Sequence, residues 1–416
     1  MELIRRNISA FARDVLDTMP CAVIQGARQV GKSTLAQQLA GERRAVAYTM
    51  DDPDVRSAAL SDPRAFLRQH SETLLVIDEI QRAPELILPL KAEIDRDRRP
   101  GRFLLTGSSD LLRLQGTPDS LAGRALTVPL AGFSQGERRS VIDDFAAAVR
   151  SGAHEQGERS DVTRADIARM ILAGGYPNVP ELERLRAPWF DGYVERILRV
   201  DAADIRSGAN SDRLAALLRL IAANQAGELV KARLARDAGI PETSIGRSLD
   251  ALAALYLTVH LRPWTPNLTA REVSKPKLQV ADSGLAGAIA RTREPVLADP
   301  VRGANLLGPL LEGFVVSELA KQSTWTAAPF QLFHWRDRTG KEVDIVLEFD
   351  DGSILGIEVK SSSTPRAEHF SGLRALSERL GDRFLGGVVL GLGESSLPFG
   401  PRLWSLPVSA LWSLAS

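Results

Sequence analysis

One cysteine, Cys21, stands in 416 residues, so no disulfide forms within the chain and no cysteine-based zinc site can be built. Also missing is any apolar run of the ~18 residues that a membrane span requires. The opening Met1-Glu-Leu-Ile-Arg-Arg-Asn7 has no signal-peptide core. The expectation is a cytoplasmic protein with no membrane partner. No charge of one sign prevails: 52 Lys and Arg balance 52 Asp and Glu. Nucleic acid is therefore not announced by a global basic field, and contact with DNA would need a local basic surface. What is there is ordinary globular composition, 44% hydrophobic and 25% charged, in a chain long enough for about two to four domains.

The stretch Ala22-Val-Ile-Gln-Gly-Ala-Arg-Gln-Val-Gly-Lys-Ser-Thr34 is an apolar run, a glycine-bounded loop and then a helical pattern. It matches G-x-x-x-x-G-K-[ST] in the strand, loop and helix context that the pattern needs. Glycines at 26 and 31 let the backbone N–H groups of Gly26, Ala27, Arg28, Gln29, Val30, Gly31, Lys32, Ser33 and Thr34 curl toward phosphate. The helix N-terminus adds its dipole. Lys32 is expected on the β- and γ-phosphates and the Ser33 hydroxyl on Mg²⁺. The ligands this predicts are ATP and Mg²⁺.

Thr73-Leu-Leu-Val-Ile-Asp-Glu79 is a continuous apolar strand ending in two carboxylates, as a strand buried on both faces should. Asp78 is expected at Mg²⁺ and Glu79 as the group that orients and polarises the attacking water. A third strand, Gly101 to Ser109, ends in hydroxyls; Thr106 or Ser108 would face the γ-phosphate, although such an ending is also ordinary turn chemistry. Strands alternating with helices predict an α/β, doubly wound parallel sheet with ligands at the strand carboxyl ends.

The segments Gly-Ala-Arg-Gln-Val-Gly-Lys-Ser-Thr, Val-Ile-Asp-Glu-Ile-Gln, Leu-Leu-Thr-Gly-Ser-Ser and Leu121-Ala-Gly-Arg124 resemble the AAA-type ATPases of the archaeal-type group that carry a DUF4143 C-terminal region. The resemblance implies a P-loop fold of the AAA/ASCE type at residues 1–135. It also makes Arg124 a candidate arginine finger. A finger supplied in trans implies a homo-oligomer, a ring among its forms.

Residues 136–208 are expected as a helical, lid-like region. Gly174-Gly-Tyr-Pro177 and Trp189-Phe-Asp-Gly-Tyr-Val-Glu-Arg196 match the same family pattern without an evident chemical role. Over 209–265, helical patterns at Leu214–Ala223, Val230–Ala238 and Glu242–Leu255, broken by Asp237-Ala-Gly-Ile-Pro241 and followed by a strand, predict a winged helix. Its third helix offers Thr243, Ser244, Arg247 and Ser248, with Glu242 and Asp250 opposing them. One arginine is a poor footprint for DNA, so a scaffold or oligomerisation role is preferred.

In the C-terminal part, residues 275–416, Glu342 to Lys360 forms two alternating strands around Asp350-Asp-Gly352, a hairpin signal. A three-residue loop there pairs Phe349 with Ser353 and sets Asp344 opposite Glu358, with Cβ atoms about 5 Å apart. Lys360 then projects from the same face. Asp344 with Glu358-Val-Lys360 resembles the PD-(D/E)xK nuclease superfamily. The resemblance implies a restriction-endonuclease-like α/β fold in which Asp344 and Glu358 bind Mg²⁺ and Lys360 steadies developing charge. Glu312 or Glu318 is a further acidic candidate. The plain alternative is Lys360 paired across the hairpin with Glu342.

Together these readings predict a Mg²⁺-dependent AAA-type ATPase coupling ATP hydrolysis to DNA binding, remodelling or cleavage. Three alternatives stand beside it: a regulatory switch with a catalytically silent interaction module, a metal nuclease ordered by ATP, and a toxin or defence component.

Overall fold

The computed structural model describes residues 3–107, 121–157, 159–201, 210–267, 269, 271 and 275–414. The expected site residue Ser108 lies outside them. In the N-terminal part, α1 (Ser9–Thr18), β1 (Cys21–Gln25), α2 (Lys32–Gly41), β2 (Ala45–Thr49), β3 (Leu74–Asp78), α3 (Ile87–Arg96), β4 (Phe103–Gly107) and β5 (Ala125–Pro129) follow one another. The strands form a parallel sheet in the order β2-β3-β4-β1-β5. β4 lies between β1 and β3, so the loops after β1 and β3 flank the hydroxyl-bearing end of β4.

Alternation along the apolar strands makes the sheet two-sided. Ala22, Ile24, Leu74, Val76 and Leu104 share a core with Val15 and Leu16 of α1 and Leu35 and Leu39 of α2. Cys21, Val23, Leu75, Ile77, Phe103 and Leu105 face Ile87, Leu90 and Ile94 of α3. Burial of this kind is the main stabilising term in such a sheet. It also pushes the Cys21 thiol far up, leaving it a small inert hydrophobe.

Next come α4 (Arg164–Ala173) and α5 (Glu183–Arg196). The chain then passes through α6 (Ser211–Ala223), β6 (Gly227–Glu228), α7 (Lys231–Asp237), α8 (Glu242–Ala254), β7 (Thr258–Pro263) and β8 (Lys277–Val280). Here β7 and β8 form a wing whose second strand, β8, pairs with both β6 and β7 and lies within the span expected for the C-terminal domain.

After α9 (Ser283–Ile289) and α10 (Ala304–Gln322) come β9 (Phe330–Arg336), β10 (Glu342–Phe349), β11 (Ile354–Val359), α11 (Ser371–Leu380), β12 (Phe384–Gly391), β13 (Leu397–Gly400) and β14 (Leu403–Pro407). β9, β10 and β11 are antiparallel neighbours, and β12 runs parallel to β11. A short parallel pairing of β7 with β9 joins the wing to this sheet, giving the order β13-β14-β12-β11-β10-β9-β7-β8-β6. The core on the α1 and α2 side of the first sheet continues through α4, α6 and α10 to Ile345, Leu355 and Ile357 of the second. The two sheets are therefore packed through shared helices.

The Gly174-Gly175 segment gains a structural reason. A Cβ on Gly174 would lie 2.3 Å from Asp282 Oδ1, and one on Gly175 2.9 Å from the Phe133 carbonyl oxygen. The Gly175 N–H donates to Asp282 Oδ2 at 2.7 Å, and Asp282 Oδ1 accepts from Leu285 N at 2.9 Å, capping α9. Asp282→Ala is expected to lower stability by about 1–3 kcal/mol, since a buried N–H and a cap are both lost; chemical denaturation monitored by circular dichroism measures it.

His334 on β9 is buried. Its Nε2 donates to the Lys275 carbonyl at 3.3 Å, and its Nδ1 finds no partner among the described residues. Burial, then the nearby Lys277 charge, pushes its pKa down from 6.5 to about 4. The unfolded chain thus binds this proton first as pH falls. The associated stability is present above pH ~6.5 and is lost toward pH ~4, on the order of 3 kcal/mol in all. His334→Gln is expected to flatten the decline of the thermal midpoint between pH 7.5 and 5; an unchanged slope would reject the assignment.

Candidate nucleotide site and C-terminal carboxylate cluster

The loop between β1 and α2 is shaped by its glycines. Gly31 has φ +98° at the N-cap of α2, a backbone state that glycine adopts without penalty. A Cβ on Gly26 would lie 1.9 Å from the Leu130 carbonyl oxygen, so the loop can lie against the end of β5 only because that atom is absent. No side chain caps α2, which leaves its first-turn N–H groups directed into the loop for an anion. The buried Lys32 ammonium donates to the carbonyl oxygens of Gly26 at 3.1 Å and Ala27 at 2.8 Å. It therefore spans the concavity that the loop encloses.

Opposite it, the Ser33 hydroxyl lies 2.9 Å from both carboxylate oxygens of Asp78. Thr106 Oγ1 donates to Asp78 Oδ1 and accepts from Glu79 N at 3.0 Å. Glu79 holds φ 56°, an uncommon state for a non-glycine residue, at the end of β3, and Gln81 Nε2 donates to its Oε2. Ser33, Asp78, Glu79 and Thr106 are thus brought together beside Lys32. The donor set fits Mg²⁺, which takes one or two protein oxygens and completes its shell with phosphate and water. Among the described residues no group of three or more His, Cys, Asp or Glu side chains is arranged around a metal position.

Arg124 is held elsewhere. Its Nε and Nη2 bond Asp95 on α3 at 2.8 and 2.9 Å, and the pair lowers the carboxylate's pKa. Sequence reasoning missed Arg6. This buried guanidinium donates to Val30 O in the loop at 2.9 Å, to Ala131 O at 2.7 Å and to Glu137 Oε1 at 2.9 Å. The Tyr193 hydroxyl, from the aromatic segment that had no assigned role, donates to Arg28 O at 3.1 Å. Trp189 stacks on its ring at 5.4 Å.

In the second sheet the loop Asp350–Gly352 has three residues. Phe349 N donates to Ser353 O at 3.0 Å, and Gly352 has φ +78°. The Ile345–Ile357 pairing sets Asp344 opposite Glu358. A bulge between Val343 and Val346 falls at Asp344 and re-aims it. Lys360 Nζ lies 2.6 Å from Glu358 Oε2 and 3.6 Å from Asp344 Oδ2, while Val359 N donates to Asp344 Oδ2 at 2.9 Å. Burial, then the Asp344 charge, pushes the Glu358 carboxyl up. Burial acts the same way on Asp344, but the charges of Lys277 and Lys360 outweigh it and hold that carboxyl down.

Of the two further acidic candidates, Glu312 joins the cluster by bonding Lys277 at 2.8 Å. Glu318 faces the N-terminal part, accepting from Gln135 N at 2.7 Å and from Lys321 at 2.6 Å. Glu342 pairs with Lys277 at 2.6 Å instead of with Lys360. Asp344 thus faces both Lys277 and Lys360, and Glu358 faces Lys360, an arrangement that does not fit the Mg²⁺ expected on Asp344 and Glu358. Nothing in the sequence around Ser274-Lys-Pro-Lys277 marked that lysine.

No described helix is long and apolar enough to cross a membrane. Residues 18–138 match the AAA domain model, 164–295 a domain of unknown function (DUF8612) and 307–411 a domain of unknown function (DUF4143). The uncharacterized protein Mb2031c of Mycobacterium bovis is 30% identical over 420 residues, covering 99% of this chain and 85% of the relative. Uncharacterized protein Rv2008c of Mycobacterium tuberculosis matches at the same identity and coverage. Among solved structures, the Walker-type ATPase paby2304 of Pyrococcus abyssi is 18% identical, covering 69% of this chain and 96% of its own, with a TM-score of 0.42. AMPPCP-bound DnaA from Aquifex aeolicus is 14% identical, covering 61% and 89%, with a TM-score of 0.27. The chain belongs to the family of these mycobacterial proteins and is an AAA-type ATP hydrolase with a C-terminal DUF4143 domain.

Proposed function

We propose that this protein is a Mg²⁺-dependent ATP switch whose nucleotide state is relayed from the loop around Lys32 to a restriction-endonuclease-like C-terminal domain. The observation that carries this reading is a continuous line of buried polar contacts. Val30 O accepts from Arg6, Arg6 pairs with Glu137, and Glu137 closes a capping box with Ser134. One residue on, Gln135 N donates to Glu318 of α10, and Lys321 of α10 donates to Phe133 O at 3.0 Å. Gln322 Oε1 accepts from Phe145 N at 2.9 Å, and its Nε2 donates to Asp143 Oδ2 at 3.2 Å. A change at the loop therefore has a stiff route to α10, whose Glu312 reaches the second sheet.

In this reading the backbone from Gly26 to Thr34 holds the phosphates and Lys32 turns from its carbonyl partners to the β- and γ-oxygens. Ser33 and Asp78 would hold Mg²⁺, which would supply neutralisation of phosphate charge. Glu79 orients and polarises water, with Thr106 fixing its backbone. Arg124 would leave Asp95 to serve a neighbouring subunit, making the working form a cytoplasmic homo-oligomer.

A second reading, cleavage of DNA by the C-terminal domain, rests on the convergence of Asp344, Glu358 and Lys360, but needs a metal that these lysine-paired carboxylates do not fit. The order α10-β9-β10-β11-α11-β12 also supports the nuclease-like resemblance. Against it, the Arg247-bearing helix α8 offers DNA little positive charge.

Lys32→Ala is expected to abolish Mg²⁺-dependent ATP turnover, and Glu79→Gln to lower kcat by roughly 10²-fold or more while ATP still binds; phosphate release and nucleotide binding measure the two. Normal turnover in Lys32→Ala would remove the basis of the site. For the switch, ATP is expected to change amide hydrogen exchange across residues 304–322 in the wild-type chain but not in Lys32→Ala. Turnover assayed with and without duplex DNA, with cleavage followed in the same tubes, separates the readings. Hydrolysis without cutting favours the switch. Cutting that Lys360→Ala stops while hydrolysis survives replaces it with the nuclease.

A further inference from the structure

Lys277 stands at the centre of the C-terminal carboxylates, although it comes from the wing and not from the nuclease-like core. Its Nζ lies 2.6 Å from Glu342 Oε1, 2.8 Å from Glu312 Oε1 and 3.6 Å from Asp344 Oδ1. Its side chain is only 6% exposed. Three elements thereby meet at one ammonium group: β8 supplies the lysine, α10 supplies Glu312, and β10 supplies Glu342 and Asp344. Lys360 closes the other side, so each oxygen of Asp344 faces one lysine and Oδ2 also accepts a backbone N–H.

The carboxylates of Glu312, Glu342 and Asp344 converge on this one ammonium, which offsets their mutual repulsion. A divalent ion would have to displace an ammonium from oxygens already engaged.

We propose that Lys277 is a tethered cation that fills this acidic pocket in place of a divalent metal and fastens the wing to the C-terminal sheet. The inference rests on the nuclease-like reading of that domain and requires nothing of the ATP site. With the lysine seated, the pocket is closed to metal. With the ammonium removed, Glu312, Glu342 and Asp344, the three carboxylates that converge on it, become an oxygen-rich site for a divalent ion of the Mg²⁺ or Mn²⁺ class.

The test is Mn²⁺ binding to the full, nucleotide-free chain, followed by electron paramagnetic resonance. Wild type should show no bound Mn²⁺ that Asp344→Asn removes. Lys277→Met should gain one site, at least ~10-fold tighter than anything at that position in wild type, the scale on which neighbouring groups tune metal affinity. Adding Asp344→Asn should abolish the new site. A wild-type Mn²⁺ site lost in Asp344→Asn, or a folded Lys277→Met with no new site, overturns the proposal. Should Lys277→Met fail to fold, Lys277→Met/Glu312→Gln, which removes a charge of each sign, is expected to recover most of the lost thermal midpoint; no recovery overturns it equally. ATP turnover in the same samples reports on the switch separately, so a failure of one leaves the other standing.

Discussion

The architecture depends on one buried guanidinium. Arg6, in the segment before α1, holds the nucleotide loop, the strand end after β5 and Glu137 at once. Its ring contact with Phe133, 4.9 Å to the centroid, leaves little of the group to water. Burying a charge is tolerable only when its partners satisfy it, and removing one partner of such a pair typically costs about 3–5 kcal/mol. Glu137 is equally committed, accepting from Arg6, from Asn7 N and from Ser134 N. The loop is thus not a free-standing anion cradle. It is one end of a polar scaffold that continues into α10.

That scaffold explains why the N-terminal sheet and the C-terminal sheet share a core. α10 is buried along most of its length and carries charged residues at Glu312, Glu318 and Lys321, each answered by a partner on another element. A helix that is apolar nearly all round belongs in an interior. Its few charges then specify which neighbours it takes. Glu318 and Lys321 fix it to the ATPase side, and Glu312 fixes it to the wing through Lys277.

The parts legible in the sequence were those whose chemistry is local. Gly26, Gly31, Lys32 and Ser33 lie within eight consecutive residues, and the strand carrying Asp78 and Glu79 declares itself by unbroken apolarity. The three-residue turn at Asp350–Gly352 likewise set the Asp344–Glu358 register, because loop length fixes hairpin pairing. What sequence could not supply was long-range pairing. Arg6 meets Glu137 across 131 positions, and Lys277 meets Glu342 across the whole of α9, α10 and β9. β5 does not stand out in the sequence because, at the sheet edge, only Val128 of its five residues is buried and no strong apolar run forms. The aromatic segment at Trp189–Tyr193 was noticed but not placed, since only the fold shows that Tyr193 reaches Arg28 O.

The same contrast bears on how a nuclease-like pattern should be weighed. Asp344, Glu358 and Lys360 sit together because strand geometry puts them together, and any sequence with that register would do so. Chemistry depends on what else arrives. Here the short β7–β9 pairing carries the wing across the edge of the C-terminal sheet and brings β8 within reach of β10. A cation attached to the chain is thereby present at the local concentration of a covalent neighbour, with no ion to recruit from solution. Its retention then depends on how firmly the wing is seated, which makes the state of this pocket a property of the whole fold and not of Asp344, Glu358 and Lys360 alone.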